Sequence, residues 1–279
     1  MTIYNNSYEL LTQVRMGINE YSTALVNGTD TTGTFLNTEL MRKINDAQTY
    51  IWNLLFTSQQ SLFLTSKSLT AVDSVLTMPS NFFKVKSLED SEGVPLQPID
   101  SINRSVGFSG VGYYQYYQKG STLVIDVEYI NDSFTLWYYT RCRDLDCGMT
   151  SAGGVGTATL ATTAKKITSY YNGMMIENVT DDATDTITAY TSARVATVSG
   201  TWAASKYYGI VSELPEIFHP LIAERAILLL KLNPKSPAKI DKGDIQLFTE
   251  NLTSMIRAYA GTQGTDSVLY SFNDGSFND

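Results

Sequence analysis

His219, in the run IFHPLI, is the only histidine among 279 residues and the first place to look for acid–base chemistry. It has no GxSxG elbow, HExxH or cysteine partner around it, the settings in which histidine serves as base or ligand. It reads as a half-buried structural residue at the start of an apolar helix. Carboxylate pairs come next. Asp144 and Asp146 in RCRDLDC stand beside Arg141 and Arg143 and read as an ion-paired loop. Asp181 and Asp182 read as turn residues, where an Asp side chain bonds its own backbone. Sequence leaves open a glycosidase-type pair formed in space by any of the 28 acidic residues. The RCRDLDC run also holds both cysteines, Cys142 and Cys147. A structural zinc site needs four N or S ligands, more than one histidine and two cysteines supply, so a reduced structural pair is expected. AGGVG at 152–156 precedes a strand, so no helix N-terminus waits there for phosphate. No catalytic residue, metal site or cofactor is expected, and the chain does not read as an enzyme.

The net charge is −8 and the basic residues are scattered, which excludes tight binding to nucleic-acid phosphates. The acidic balance suits a surface past which DNA slides. No apolar run approaches eighteen residues, so no membrane span is expected. The opening MTIYNNSYELL lacks a basic stretch followed by an apolar one, so no secretory leader is expected either.

Helical spacing frames the two ends of the chain. Asn6 can cap a helix carrying Leu10, Leu11, Val14, Ile18 and Tyr21, and Glu9 completes a capping-box pattern. After the loop NGTDTTGT at 27–34, Leu36, Leu40, Ile44, Ala47, Ile51, Leu54 and Leu55 predict a helix of about five or six turns. Toward the C-terminus, SELPEIFHPLIAERAILLLKL predicts a helix capped by Ser212 and stopped by Pro234 and Pro237. A last helix near 239–260 carries Ile245, Phe248, Leu252, Met255, Ile256 and Tyr259, with Gly261 as its stop.

Between them the texture is strand-like. LFLTSKSLTAVDSVLTMPSNFFKVKSL predicts two or three strands, Asp90–Gly93 a hairpin turn, and SINRSVG one helical turn. YYQYYQKGSTLVIDVEYINDSFTLWYY predicts a three-stranded antiparallel meander. Residues 148–206 hold thirteen Thr, ten Ala and only eight charged residues. TATLATTA, KITSYY, MMIENV, TITAY, VATVS and KYYGIV are strand-length there, with turns at Asn172-Gly173, Asp181-Asp182 and Ser192-Ala193. The fold class is therefore α+β: about four helices, an antiparallel meander and an inserted all-β module. The boundaries are 1–147 with 212–260 for the core, 148–211 for the module and 261–279 for an extended tail.

Aromatic residues are the remaining candidates. Alternation puts Tyr114 and Tyr116 on one strand face and Tyr113 and Tyr117 on the other. One face is read as core and the other as a protein interface, with a sugar-binding platform including Trp137 as the alternative. Tyr114, Tyr116, Trp137, Phe248 and Tyr259 are the expected subunit-interface residues. Tyr270, Phe272 and Phe277 in the polar tail are the expected partner-binding residues, since isolated rings gain burial only in a waiting groove.

The order of these parts resembles the head-to-tail connector, or adaptor, proteins of tailed bacteriophages. The resemblance rests on an MPxxFxxV step, MPSNFFKV, leading into a Gly turn, and on the ELPEIFHPLI helix start. It covers most of 1–148 and 212–260. Separately, YYNGMMIENVTDDATDTITAYTSARVATVSGTW at 170–202 resembles a small β-module that recurs in phage virion proteins. The resemblance implies a homo-oligomeric ring, commonly a dodecamer, in the neck of the virion and assembled in the host cytoplasm. Its partners would be the portal protein and a tail or neck protein, with DNA passing through unbound and no membrane contact. Tyr270, Phe272 and Phe277 would then reach the portal. The rival is a tail-associated receptor- or carbohydrate-binding protein.

Overall fold

A computed structural model describes residues 6–99, 114–127 and 129–262. The protein is α+β, and its chain divides into two units: Gln60–Arg141, and the described residues on either side, 6–59 and 142–262.

Asn6 opens α1 (Ser7–Gly17), its side-chain oxygen accepting from the N–H groups of Tyr8 and Glu9 at 3.0 Å each. That satisfies two of the donors every helix start leaves open. Leu10, Leu11 and Val14 are buried along one face. A short α2 (Thr23–Val26) precedes the Gly/Thr loop, and α3 (Asn37–Ser58) begins where Glu39 accepts from the Leu36 N–H at 2.9 Å. The predicted stripe is real at Leu40, Ile44, Ala47, Ile51 and Leu55, all fully buried, while Leu36 stays exposed at the cap.

The unit Gln60–Arg141 contains β1 (Leu64–Thr70), β2 (Val75–Thr77), β3 (Phe82–Glu89), β4 (Gln97–Pro98), β5 (Gln115–Lys119), β6 (Thr122–Ile125) and β7 (Ser133–Thr140). They form two sheets, ordered β1-β7-β3 and β2-β6-β5-β4. Leu76, Leu88, Leu123, Ile125, Phe134, Leu136 and Tyr138 fill the core they share. The expected meander is corrected: β5 and β6 pair as a hairpin, but β7 crosses to the other sheet and lies between β1 and β3. The connection is turned by Tyr129 in the left-handed region (φ 59°) and pinned by Ser74, whose hydroxyl donates to the Val127 carbonyl and accepts from the Ile130 N–H. A strand whose alternate residues Phe134, Leu136 and Tyr138 are buried gains most from the centre, where both edges of its backbone are paired. The predicted helical turn SINRSVG lies outside the described residues.

In the other unit follow β8 (Cys147–Met149), β9 (Ala152–Thr159), β10 (Met175–Asn178), β11 (Ala183–Thr186), β12 (Ala189–Tyr190), β13 (Val195–Thr201) and β14 (Tyr207–Ile210). The sheets are β11-β10-β14-β8 and β12-β13-β9. Turns fall at Asp181-Asp182 and Ser192-Ala193, with Asp182 and Arg194 left-handed (φ 51° and 65°). KITSYY is not a strand. Ser169 takes a left-handed φ of 62°, and Tyr171 is buried edge-on to Tyr170 and Tyr190, both with ring centroids at 4.9 Å. Asn172-Gly173 accordingly closes this turn rather than a hairpin. These strands belong to the same unit as the helices, so the expected limits at 148 and 211 do not coincide with the division of the chain.

Two helices close the fold, α4 (His219–Lys231) and α5 (Lys242–Thr262). Ser212 is not the cap of α4: its hydroxyl accepts from the Leu214 N–H and donates to Gln48 Oε1 at 2.6 Å. A 3₁₀ turn, Glu216–Phe218, leads in instead, and Pro220 fits the first helical turn, where its missing N–H costs nothing. α4 packs on α1 at Gly17, where a Cβ would stand 2.3 Å from Ile227 Cδ1. On α5, Phe248, Leu252 and Ile256 are buried, and the helix runs through Gly261 to Thr262 instead of stopping there.

Candidate functional site

The polar chemistry of the larger unit gathers where the chain enters β8 and leaves β14. These strands pair antiparallel, Cys147 with Gly209, Gly148 with Tyr208 and Met149 with Tyr207. The start of α1 sits on them. Ser7 Oγ donates to the Asp146 carbonyl at 2.6 Å and accepts from the Ile210 N–H at 2.8 Å. Gly209 permits this approach, since a Cβ there would stand 2.4 Å from Asn6 Oδ1 and 2.8 Å from the Tyr8 nitrogen. From α3, Asn45 accepts from the Leu145 N–H at 2.7 Å and donates to its carbonyl at 3.1 Å, and Gln48 donates to the Arg143 carbonyl at 2.9 Å.

Arg143, only 4% exposed, is the centre of the joint. Its guanidinium pairs with Glu213 at 2.7 and 3.1 Å and donates to the carbonyls of Tyr170 and Asn172 at 2.8 and 2.7 Å. One side chain thus ties β8, the 165–173 turns and the approach to α4 together, in the fork geometry that suits arginine. Asp144 pairs with Lys165 at 2.6 Å, so the expected ion-paired loop exists with partners other than the adjacent arginines.

Beside the joint lies a cavity of about 370 Å³, lined by Arg42, Asn45 and Asp46 of α3 and by Asp144, Asp146 and Lys165. Asp146 is 5% exposed. Its carboxylate accepts from the Tyr208 hydroxyl, which in turn accepts from the Ala161 N–H at 3.1 Å. Burial pushes Asp146 up to about 6, against the hydrogen bonds of Tyr208 and Thr163 and the charges of Lys165 and Arg194. Burial likewise pushes the Tyr208 phenol well above its ordinary value. Chemically, the cavity offers one buried carboxylate that exchanges its proton near neutrality. Cys142 and Cys147 are free thiols; Cys147 is buried, its thiol is pushed up by desolvation, and its sulfur lies 3.5 Å from Met41 Sδ. Such a thiol is unreactive.

The remaining sequence candidates disperse. His219 is fully buried rather than half-buried, with Nε2 2.9 Å from the Leu214 carbonyl. Tyr116 is 7% exposed and belongs to the core of the β unit, and Phe248 is buried beneath the Arg225 guanidinium, 5.7 Å from its ring. Tyr114 packs edge-on against Phe134 at 6.3 Å, Tyr259 packs against Phe218 at 5.6 Å, and Trp137 is 36% exposed with Nε1 donating to Glu89 at 3.0 Å. Tyr114, Trp137 and Tyr259 therefore keep surface to offer a neighbour, while Tyr116 and Phe248 are spent on internal packing. Tyr113, Tyr270, Phe272 and Phe277 lie outside the described residues. Asp185 went unnoticed in the sequence. It accepts from the Ser199 hydroxyl, the Gly200 N–H at 3.0 Å and Trp202 Nε1 at 2.8 Å, at the end of β13 where its register against β9 shifts between Thr197 and Thr201. Burial opposes its charge, yet these bonds together hold it below the usual carboxylate range.

Among the described residues no three His, Cys, Asp or Glu side chains converge to hold a metal ion, and no helix is long and apolar enough to cross a membrane. Compared with protein-family models and with curated protein sequences, the chain finds no match.

Proposed function

We propose that the protein is a structural subunit of a phage neck, forming a ring that joins the portal to the tail and extends the DNA channel. The observation that carries this reading is the use of its buried and half-buried polar groups. Arg143, Glu213, Asn45, Gln48 and Ser7 bond main chain or close intrachain pairs that brace β-structure against the helices, while Asp185 and His219 fix the chain locally. Rigid bracing of this kind is what a load-transmitting subunit requires. The resemblance motifs fall on joints of the fold: MPSNFFKV leads into β3, and ELPEIFHPLI turns the chain into α4. Tyr114, Trp137 and Tyr259 are the residues assigned to contacts between ring neighbours, and Tyr270, Phe272 and Phe277 to the portal.

Electron microscopy of the purified protein, alone and mixed with portal, tests the reading. Rings that cap the portal are the expected result. A protein that stays monomeric with portal present, together with a particle neck lacking it, overturns the proposal. Removal of residues 263–279 is expected to leave a folded subunit that docks poorly.

One observation favours the rival, a receptor- or carbohydrate-binding virion protein. Trp137 presents its ring on a sheet face with a carboxylate, Glu89, at its edge, a pairing that suits a sugar. Glycan-array binding lost in Trp137→Ala would support that assignment over the ring.

A further inference from the structure

We propose that the cavity between α3 and the Asp144–Asp146 segment binds a small organic cation, a primary ammonium or guanidinium compound on a short alkyl stem, with Asp146 taking its charge. The inference is independent of the ring reading.

The charges around the cavity decide the ligand. Lys165 lies 2.6 Å from Asp144 and Lys43 lies 3.1 Å from Asp46, so two of the three lining carboxylates already have cations. Asp146 does not. It is held by the hydroxyls of Tyr208 and Thr163, and among the described residues no ion pair reaches it. Lys165 and Arg194 favour its charge without pairing with it directly; a buried carboxylate with no direct ion pair is costly, and it is relieved either by a proton or by a cation. The cavity, about 370 Å³, falls in the range of small-ligand sites, roughly 300–1,000 Å³. Met41 and Tyr171 line it as well and give an alkyl stem an apolar wall. A divalent metal is poorly served, since calcium or magnesium wants about six oxygens and Asp146 is the one unpaired carboxylate here. Arg42, exposed on α3, lines the cavity too, and because its charge repels a cation the ligand's charged end belongs at Asp146 rather than beside Arg42.

Proton and cation compete for the same oxygens, so binding is tied to pH. The groups facing Asp146 are Tyr208 of β14, Thr163 and Lys165 of the following turns, Arg194 of the β12–β13 turn, Tyr171, Tyr190 and Cys147. With Asp146 at about 6, affinity is full above pH 7 and falls as the carboxyl takes its proton.

Calorimetric titration of the full chain with agmatine and putrescine tests this, with 1-butanol as the neutral control and ionic strength matched by sodium chloride. Saturable binding of at least one amine is expected at pH 7.5 and none of butanol. At pH 5.0 the affinity should fall on the order of tenfold, as the ionised fraction of a group at about 6 does. Asp146→Asn should abolish binding. Lys165→Met, which frees Asp144 to face the cavity, should tighten it severalfold. Absence of saturable binding at pH 7.5, equal affinity at the two pH values, unchanged affinity in Asp146→Asn or weaker affinity in Lys165→Met would each overturn the proposal. Should Asp146→Asn fail to fold, the pH comparison and Lys165→Met still decide.

Discussion

Two stretches of β-structure interrupt the helices of this chain, and each returns to its start by pairing its first strand with its last. In Gln60–Arg141, β1 and β7 pair over seven positions, from Leu64 with Tyr139 to Thr70 with Ser133. That unit is filled by Leu76, Leu88, Leu123, Phe134 and Leu136. In the second, β8 and β14 pair over only three positions, and the attachment to α1, α3 and α4 is made by Arg143, Glu213, Asn45, Gln48 and Ser7. The first solution is apolar and non-directional; it stabilises in proportion to buried area and tolerates swaps that conserve volume. The second fixes orientation, because every bond has one geometry, and it fails sharply when one partner is lost.

The largest effect is expected of Arg143→Met, which strands Glu213 and two carbonyls. It should cost about 3–5 kcal/mol, read by urea unfolding and by faster hydrogen exchange in 142–147 and 170–173. A loss below about 1 kcal/mol, the scale of an exposed ion pair, would mean that the joint is held by something else. Leu136→Ala in the β unit should cost about 2–5 kcal/mol through the cavity it leaves. Its exchange signature should stay within residues 60–141, and a spread to the second region would blur the distinction drawn here.

A pH titration of stability separates the two regions again. Asp146 sits at about 6 in the folded protein against the usual 3.8, so the folded state holds that proton more tightly. Its contribution is complete below pH 3.8 and is lost as pH rises through 6. At about 1.4 kcal/mol per unit of pH, the loss between pH 4 and 7 comes to about 3 kcal/mol. The difference between wild type and Asp146→Asn, followed by chemical unfolding, should carry this slope, whereas Leu136→Ala should shift the curve without changing its shape. The smallest effect is assigned to Gly209→Ala. Its Cβ would press on Asn6 and the Tyr8 nitrogen, an overpacking worth about 1–3 kcal/mol. Heat denaturation should show it, and Asn6→Gly in the same chain should recover part of the loss.

Local patterns were readable where the cause is local. The α3 stripe follows from spacing, Asn6 from its side-chain oxygen, and the turn at Asp90–Gly93 from Asp90 accepting the N–H groups of Glu92 and Val94 at 2.9 Å. The errors share a different cause. β7 alternates like any meander strand, but its partners are decided by which position buries both its edges. KITSYY has strand composition, yet Arg143 claims the carbonyls of Tyr170 and Asn172 that a ladder would need. The joint itself was nearly invisible, since Arg143 and Glu213 stand 70 residues apart and Ser7 and Ile210 stand 203 apart. No periodicity connects such residues, and RCRDLDC shows only that charge is concentrated there. The raised Asp146 is hidden for the same reason, because burial is a property of what folds over a residue.

The pairing of β8 with β14 has a consequence for how such a chain is rearranged. Met149 and Tyr207 are opposite each other, and directly paired antiparallel residues have Cα atoms about 4.5–5.5 Å apart. A two-residue turn spans that gap, so the ends of 150–206 can be joined by a short hairpin loop, but only with the loss of the Tyr170 and Asn172 carbonyls that Arg143 holds and of β10 beside β14. Leu64 and Tyr139 offer the same kind of junction in the β unit. The two junctions differ in what they carry: exchange at Leu64 and Tyr139 stays within the unit 60–141, whereas exchange at Met149 and Tyr207 also takes away the acceptors of Arg143.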